Sequence, residues 1–112
     1  MVNLVATFLP ARGGRGFRSS RSVLRPGMVP GGFRGWTGRA NVVTDDGREL
    51  DMVLAVHRIG DRWAVLCHDR DGWFSSCVVL PGNRGSVPRF TSPVREFFGE
   101  DDGGAKLRVE VA

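Results

Sequence analysis

The feature that most constrains this chain is the run that begins at Arg39, RANVVT-DDGR-ELDMVLAVHR-IGDR-WAVLCH-DRDG-WFSSCVVLP. Short apolar and β-branched segments are divided by Asp46-Gly47, Gly60-Asp61 and Asp71-Gly72. Gly and Asp tolerate the positive φ that tight hairpin turns require. Segments of this length and residue type, bounded by such turns, read as four antiparallel strands in a meander.

The first two turns make registers that test each other. With Asp46-Gly47 as a two-residue loop, Val43 faces Leu50 and Asn41 faces Met52. With Gly60-Asp61 as the next, Val56 faces Val65 and Leu54 faces Cys67. One sheet face then collects Val43, Leu50, Met52, Leu54, Val56, Trp63, Val65 and Cys67, and this drier face is the expected core. The other collects Val42, Asp51, Val53, Ala55, His57, Ala64, Leu66 and His68. Its apolar members call for partial cover from elsewhere in the chain.

Around the meander, VNLVATFLP reads as a first strand ending at Pro10. Residues 11–39 form a Gly/Arg-rich irregular segment, with a short strand expected near SVL. TSPVREFFGED reads as a short helix, with Ser92 as N-cap, Pro93 in its first turn and Gly99 at its end. AKLRVEVA closes the chain as a half-buried strand, Leu107, Val109 and Val111 alternating with Lys106, Arg108 and Glu110. The expected fold is mainly β: one domain over residues 1–112, a small antiparallel barrel or roll of about six strands, with a central meander and one short helix near the C-terminus.

Charge divides the chain. Residues before position 40 hold seven arginines and no acid; the remainder holds nine bases and all twelve acids, leaving +4 over 112 residues. Such asymmetry between halves points to a nucleic-acid or other anionic partner. The only lysine is Lys106, and glutamine and tyrosine are absent. That bias fits a GC-rich bacterial or phage genome, and it discounts arguments that merely count Arg and Gly. No stretch approaches the roughly 18 apolar residues of a membrane span, so no membrane partner is expected. No basic region precedes the first apolar run, so no export signal is read, and a reducing cytoplasm follows as the default.

Catalytic and cofactor motifs are missing. His57, Cys67, His68 and Cys77 include no close ligand pair, and a zinc site needs four converging N or S ligands. The meander register sets the two histidines about 13 Å apart along the ladder. Cys67 and Cys77 lie on neighbouring strands, where an oxidising compartment would be needed to join them. Asp69-Arg70-Asp71-Gly72 lacks the ligand series of a calcium loop and is explained by its turn. The glycine-rich segment lacks the Gly-Lys-Ser/Thr ending of a phosphate loop. No metal, no cofactor and no enzymatic activity are therefore expected; a small hydrolase or nuclease using His57 or His68 is the minor reading.

The strongest binding signal is RGGRGFRSSR at residues 12–21. Arginines neutralise phosphates and stack on bases, and glycines keep the backbone pliable. Arg12, Arg15, Arg18, Arg21 and Arg25 are the expected phosphate contacts, with Phe17 and Trp36 as stacking rings. Phe33 and Trp73, also beside basic or turn residues, offer further aromatic surface. The expected function is a non-enzymatic binding module whose basic N-terminal loop meets RNA, DNA or an acidic protein surface. The alternative is a bacterial or phage accessory module that docks on a protein and has no nucleic-acid role.

FLPARGGR, followed by Arg25-Pro26, resembles the opening of the C-terminal barrel domain of translation elongation factor Tu. The match covers Phe8 to Pro26, with Leu24 where that family carries Tyr and without the acidic residues it places before Gly-Gly. The resemblance implies a six-stranded antiparallel barrel that binds protein and tRNA. It implies no GTPase activity, since the chain has no nucleotide-binding motif.

Overall fold

Alternating apolar residues need a curved sheet if they are to bury one face without a second layer, and curvature organises this fold. The computed structural model describes residues 2–10, 20–29, 31–43, 47, 49–70, 75–81, 87–93 and 105–112, with backbone alone for 75–78 and 81. These hold eight strands: β1 (Leu4–Leu9), β2 (Ser20–Val29), β3 (Phe33–Val43), β4 (Glu49–Ile59), β5 (Arg62–Asp69), β6 (Ser75–Pro81), β7 (Phe90–Pro93) and β8 (Lys106–Val111). They form one antiparallel sheet in the order β6-β5-β4-β3-β2-β1-β8-β7, curled into a nearly closed barrel. No helix among the described residues is long and apolar enough to cross a membrane.

A single core fills the barrel. Leu4, Ala6 and Phe8 enter from β1, Leu24 from β2, and Trp36, Ala40 and Val42 from β3. Met52, Leu54 and Val56 come from β4, Trp63, Val65 and Cys67 from β5, and Leu107 and Val109 from β8. One end is plugged by aromatics. Trp36 and Trp63 meet edge to face at 6.1 Å, and the Arg58 guanidinium lies 4.5 Å over the Trp63 ring. Trp36 Nε1 donates to the Val2 carbonyl at 2.8 Å, which ties the N-terminal segment across that end.

The barrel turns its corner at β2. Ser20–Leu24 pair with β1, whereas Arg25–Val29 pair with β3. The crossing is close: a Cβ on Gly38 would overlap the Val23 carbonyl oxygen and press on Leu24 Cδ2. Only glycine fits there, because a side chain would push β2 off the sheet.

Several expectations need correction. The described residues contain eight strands, not six. Residues 20–29 and 33–43 are long strands, so most of the segment expected to be irregular is regular; residues 11–19 lie outside the described residues. Ser92 and Pro93 belong to β7 instead of opening a helix, and Ser92 is buried against the core opposite Leu107. Pro93 is tolerated as the last residue of a short edge strand, opposite Lys106. The rest of the expected helix, residues 94–99, lies outside the described residues.

The meander stands, with one change of register. Val56 pairs with Val65, Leu54 with Cys67, and Ile59 with Arg62, around a turn in which Gly60 has φ +60°. His68 pairs with Ser75, a register centred between positions 71 and 72. Between β3 and β4, however, Val42 faces Leu50, and Val43 faces Glu49. That pairing leaves an odd number of residues between the strands, which a two-residue turn cannot give. Gly47, at φ +87°, suits the left-handed position of a three-residue loop. Val42, not Val43, therefore enters the core.

Candidate nucleic-acid interface

Strand alternation decides which side chains of β2 and β3 face outward. On β2 the outward set is Arg21, Val23, Arg25 and Gly27; on β3 it is Phe33, Gly35, Thr37, Arg39 and Asn41. Arg25 pairs with Thr37, Gly27 with Gly35, and Val29 with Phe33. Read from the β2–β3 turn, the outer surface runs from an aromatic ring, past the exposed Gly27 and the buried Gly35, to Arg25 and then Arg21. Each step between Phe33, Arg25 and Arg21 spans four residues of strand, about 13 Å.

The charges on this surface differ in their partners. Arg39 and Arg70 both hold the Asp51 carboxylate, at 3.5 Å and 3.4 Å. Arg108 pairs with Glu110 at 3.3 Å. Arg21, Arg25 and Arg34 are exposed, and no carboxylate among the described residues lies within ion-pair distance of them. Among the described residues, the carboxylates Glu49, Asp51, Asp61, Asp69 and Glu110 therefore do not neutralise these three. Arg34 stands beside Met28 on the opposite side of the hairpin end, against a shallow depression of about 360 Å³ floored by Gly27 and Gly35.

Phe33 is the exposed ring of the surface, at 49% exposure. It stacks flat on His57, with ring centroids 4.5 Å apart and planes within 2°. His57 is 5% exposed although it stands on the outer face, and its Nδ1 lies 3.0 Å from the Arg58 carbonyl oxygen. Gly35, paired with His57, permits this: a Cβ there would overlap the Val56 carbonyl oxygen and crowd the His57 Cβ. The outer sheet face beyond it is partly covered, as expected, with Ala55 and Ala64 buried.

Of the residues expected to bind, Arg21 and Arg25 share one outward face of β2. Arg12, Arg15, Phe17 and Arg18 lie outside the described residues. Trp36 needs correction: it is 5% exposed, packed on Trp63 and hydrogen-bonded to Val2, so its ring is not open to a base. Phe33 offers the ring surface in its place.

The remaining titratable groups are dispersed. No group of three His, Cys, Asp or Glu among the described residues is placed to hold a metal. His57 pairs with Ala64 and His68 with Val53, as the meander register requires. Cys67 is a free thiol within the core, and burial pushes its pKa up to about 12. Cys67 pairs with Ser76, and Cys77 with Leu66, so the two cysteines are not register partners. No known protein family, curated protein or solved structure matches this chain.

Proposed function

We propose that this protein is a non-enzymatic β-barrel module that binds nucleic acid through the outer face of β2 and β3. One observation carries the reading: Arg21 and Arg25 stand exposed on one strand face, with no carboxylate partner among the described residues, and Arg25 lies one step along the hairpin from a half-exposed aromatic ring. Unpaired arginines gain most from phosphate, because release of condensed counterions drives the association. The basic segment 12–18 precedes β2 in the chain and would add charge at the Arg21 end.

Anisotropy of a fluorescein-labelled oligonucleotide, titrated from about 50 to about 200 mM salt, tests this. Binding is expected at low salt, with log K falling linearly against log salt. Replacing Arg21 and Arg25 together by alanine removes two contacts and makes the slope shallower by about 1.4 for a single strand. No binding at low salt, or an unchanged slope in the double variant, overturns the proposal.

A second reading, an accessory protein-docking module, draws on a different observation. Val2, Met28, Ile59 and Val111 are exposed apolar side chains at one barrel end, where β1 and β3 begin and β2, β4 and β8 finish. Exposed apolar clusters of this kind mark protein interfaces. That reading predicts a protein partner whose binding is lost in Met28→Asp or Ile59→Asp and is indifferent to Arg21→Ala.

A further inference from the structure

Resting on the nucleic-acid reading, we infer that Phe33, backed by His57, is a base-stacking platform, and that the site therefore takes single-stranded nucleic acid in preference to duplex. The geometry on β3 and β4 supports it. A base stacks on a ring only if the ring has one open face and holds its plane. Half of Phe33 is open to solvent, while His57 lies parallel beneath it at 4.5 Å. His57 is itself fixed by burial and by its contact with the Arg58 carbonyl. The platform is therefore two rings deep and supported by the sheet.

The neighbouring surface is shaped for a chain leaving that ring. Gly27, exposed and without a side chain, pairs with the buried Gly35 between Phe33 and Arg25, so β2 raises no side chain across that gap. A strand with one base on Phe33 crosses this gap and meets Arg25, then Arg21. Phe33 to Arg25 spans about 13 Å of strand and Arg21 lies four residues further on, past the corner of β2, a reach suited to the roughly four nucleotides at the lower end of single-domain sites. In a duplex the bases are already stacked on one another, so a lone exposed ring on a sheet gains nothing from them. Charge alone favours the duplex, which carries more phosphate per unit length. Preference for a single strand therefore separates stacking from simple attraction.

The test uses labelled RNA of about 12 nucleotides, single-stranded and as a duplex of equal length, with wild type, Phe33→Leu and Phe33→Trp. Leucine keeps His57 covered and removes the ring plane. The inference predicts tighter binding of the single strand, a loss of roughly 5- to 150-fold in Phe33→Leu, and affinity retained in Phe33→Trp. The salt slope stays the same in all three proteins, since no charge changes. Binding that is salt-dependent but equal for single strand and duplex, or indifferent to Phe33→Leu, overturns the platform and leaves the arginine reading standing. Absence of binding to either form at low salt overturns both.

Discussion

Two glycines and one cysteine show how single residues hold this barrel. Gly38 lies where β2 crosses the sheet, and Gly35 lies against the β4 backbone under the Phe33–His57 pair. An added methyl at either position meets backbone, which cannot rotate away. Gly38→Ala is expected to lower stability by about 1–3 kcal/mol or more, read as a lower urea midpoint at unchanged m-value. A wild-type midpoint in Gly38→Ala would show that the crossing is looser than described. Cys67 gives a pH signature. Its folded pKa is raised to about 12, above the ordinary value near 8.5, so the native state keeps a proton that the unfolded chain releases. The stabilising effect is complete below about pH 8.5 and is lost as pH climbs towards 12. The chain has no tyrosine to titrate in the same window. Urea midpoints from pH 7 to about 10 are expected to fall more steeply in wild type than in Cys67→Ala. Parallel profiles would place the thiol nearer water.

At the scale of elements, the legible and illegible parts of the sequence have physical causes. The β4–β5 hairpin was fully readable, because Gly60-Asp61 forms a two-residue loop and both flanking strands alternate cleanly. The β3–β4 hairpin was not, because Asp46-Gly47 serves two-residue and three-residue loops equally well. The one-residue difference exchanges the two faces of β3. It takes Val43 out of the core and puts Val42 in, and the same parity sends Trp36 inward and Phe33 outward. The exchange of stacking residue thus follows from the β3–β4 register, set at pairs some ten residues away. Strands β2 and β3 were hidden because Pro26, Gly27, Gly35 and Gly38, usual strand breakers, here stand within paired strands. Arg21 and Arg25 were legible as candidate binding residues; that no described carboxylate pairs with them depends on where β4 and β8 place Asp51 and Glu110. A prediction belongs here: Asp51→Asn frees Arg39 and Arg70 beside the track and should raise nucleic-acid affinity at low salt by a small factor, with a steeper salt slope. An unchanged slope would place that ion-pair cluster off the path of the nucleic acid.

At the scale of the molecule, the proposed function rests on how charge is distributed over a nearly closed β surface. The barrel buries one face of every core strand, so binding chemistry has only the outer face and the two ends. One end is plugged by Trp36, Trp63 and Arg58 and rimmed by exposed apolar residues. The acidic residues of the meander are partly consumed by Arg39, Arg70 and Arg62. Among the described residues, the line from Phe33 through Arg25 to Arg21 stays exposed and without a described carboxylate partner. The account locates recognition there, on the outer face of two paired strands. The most direct test is an amide chemical-shift map of the 15N-labelled protein titrated with a short single-stranded oligonucleotide. The account predicts shifts concentrated at Arg21, Val23, Arg25, Phe33, Gly35 and Thr37, with the Trp36 and Trp63 indole signals nearly still. Shifts centred on Met28, Ile59 and Val111, or no shifts at low salt, would contradict it.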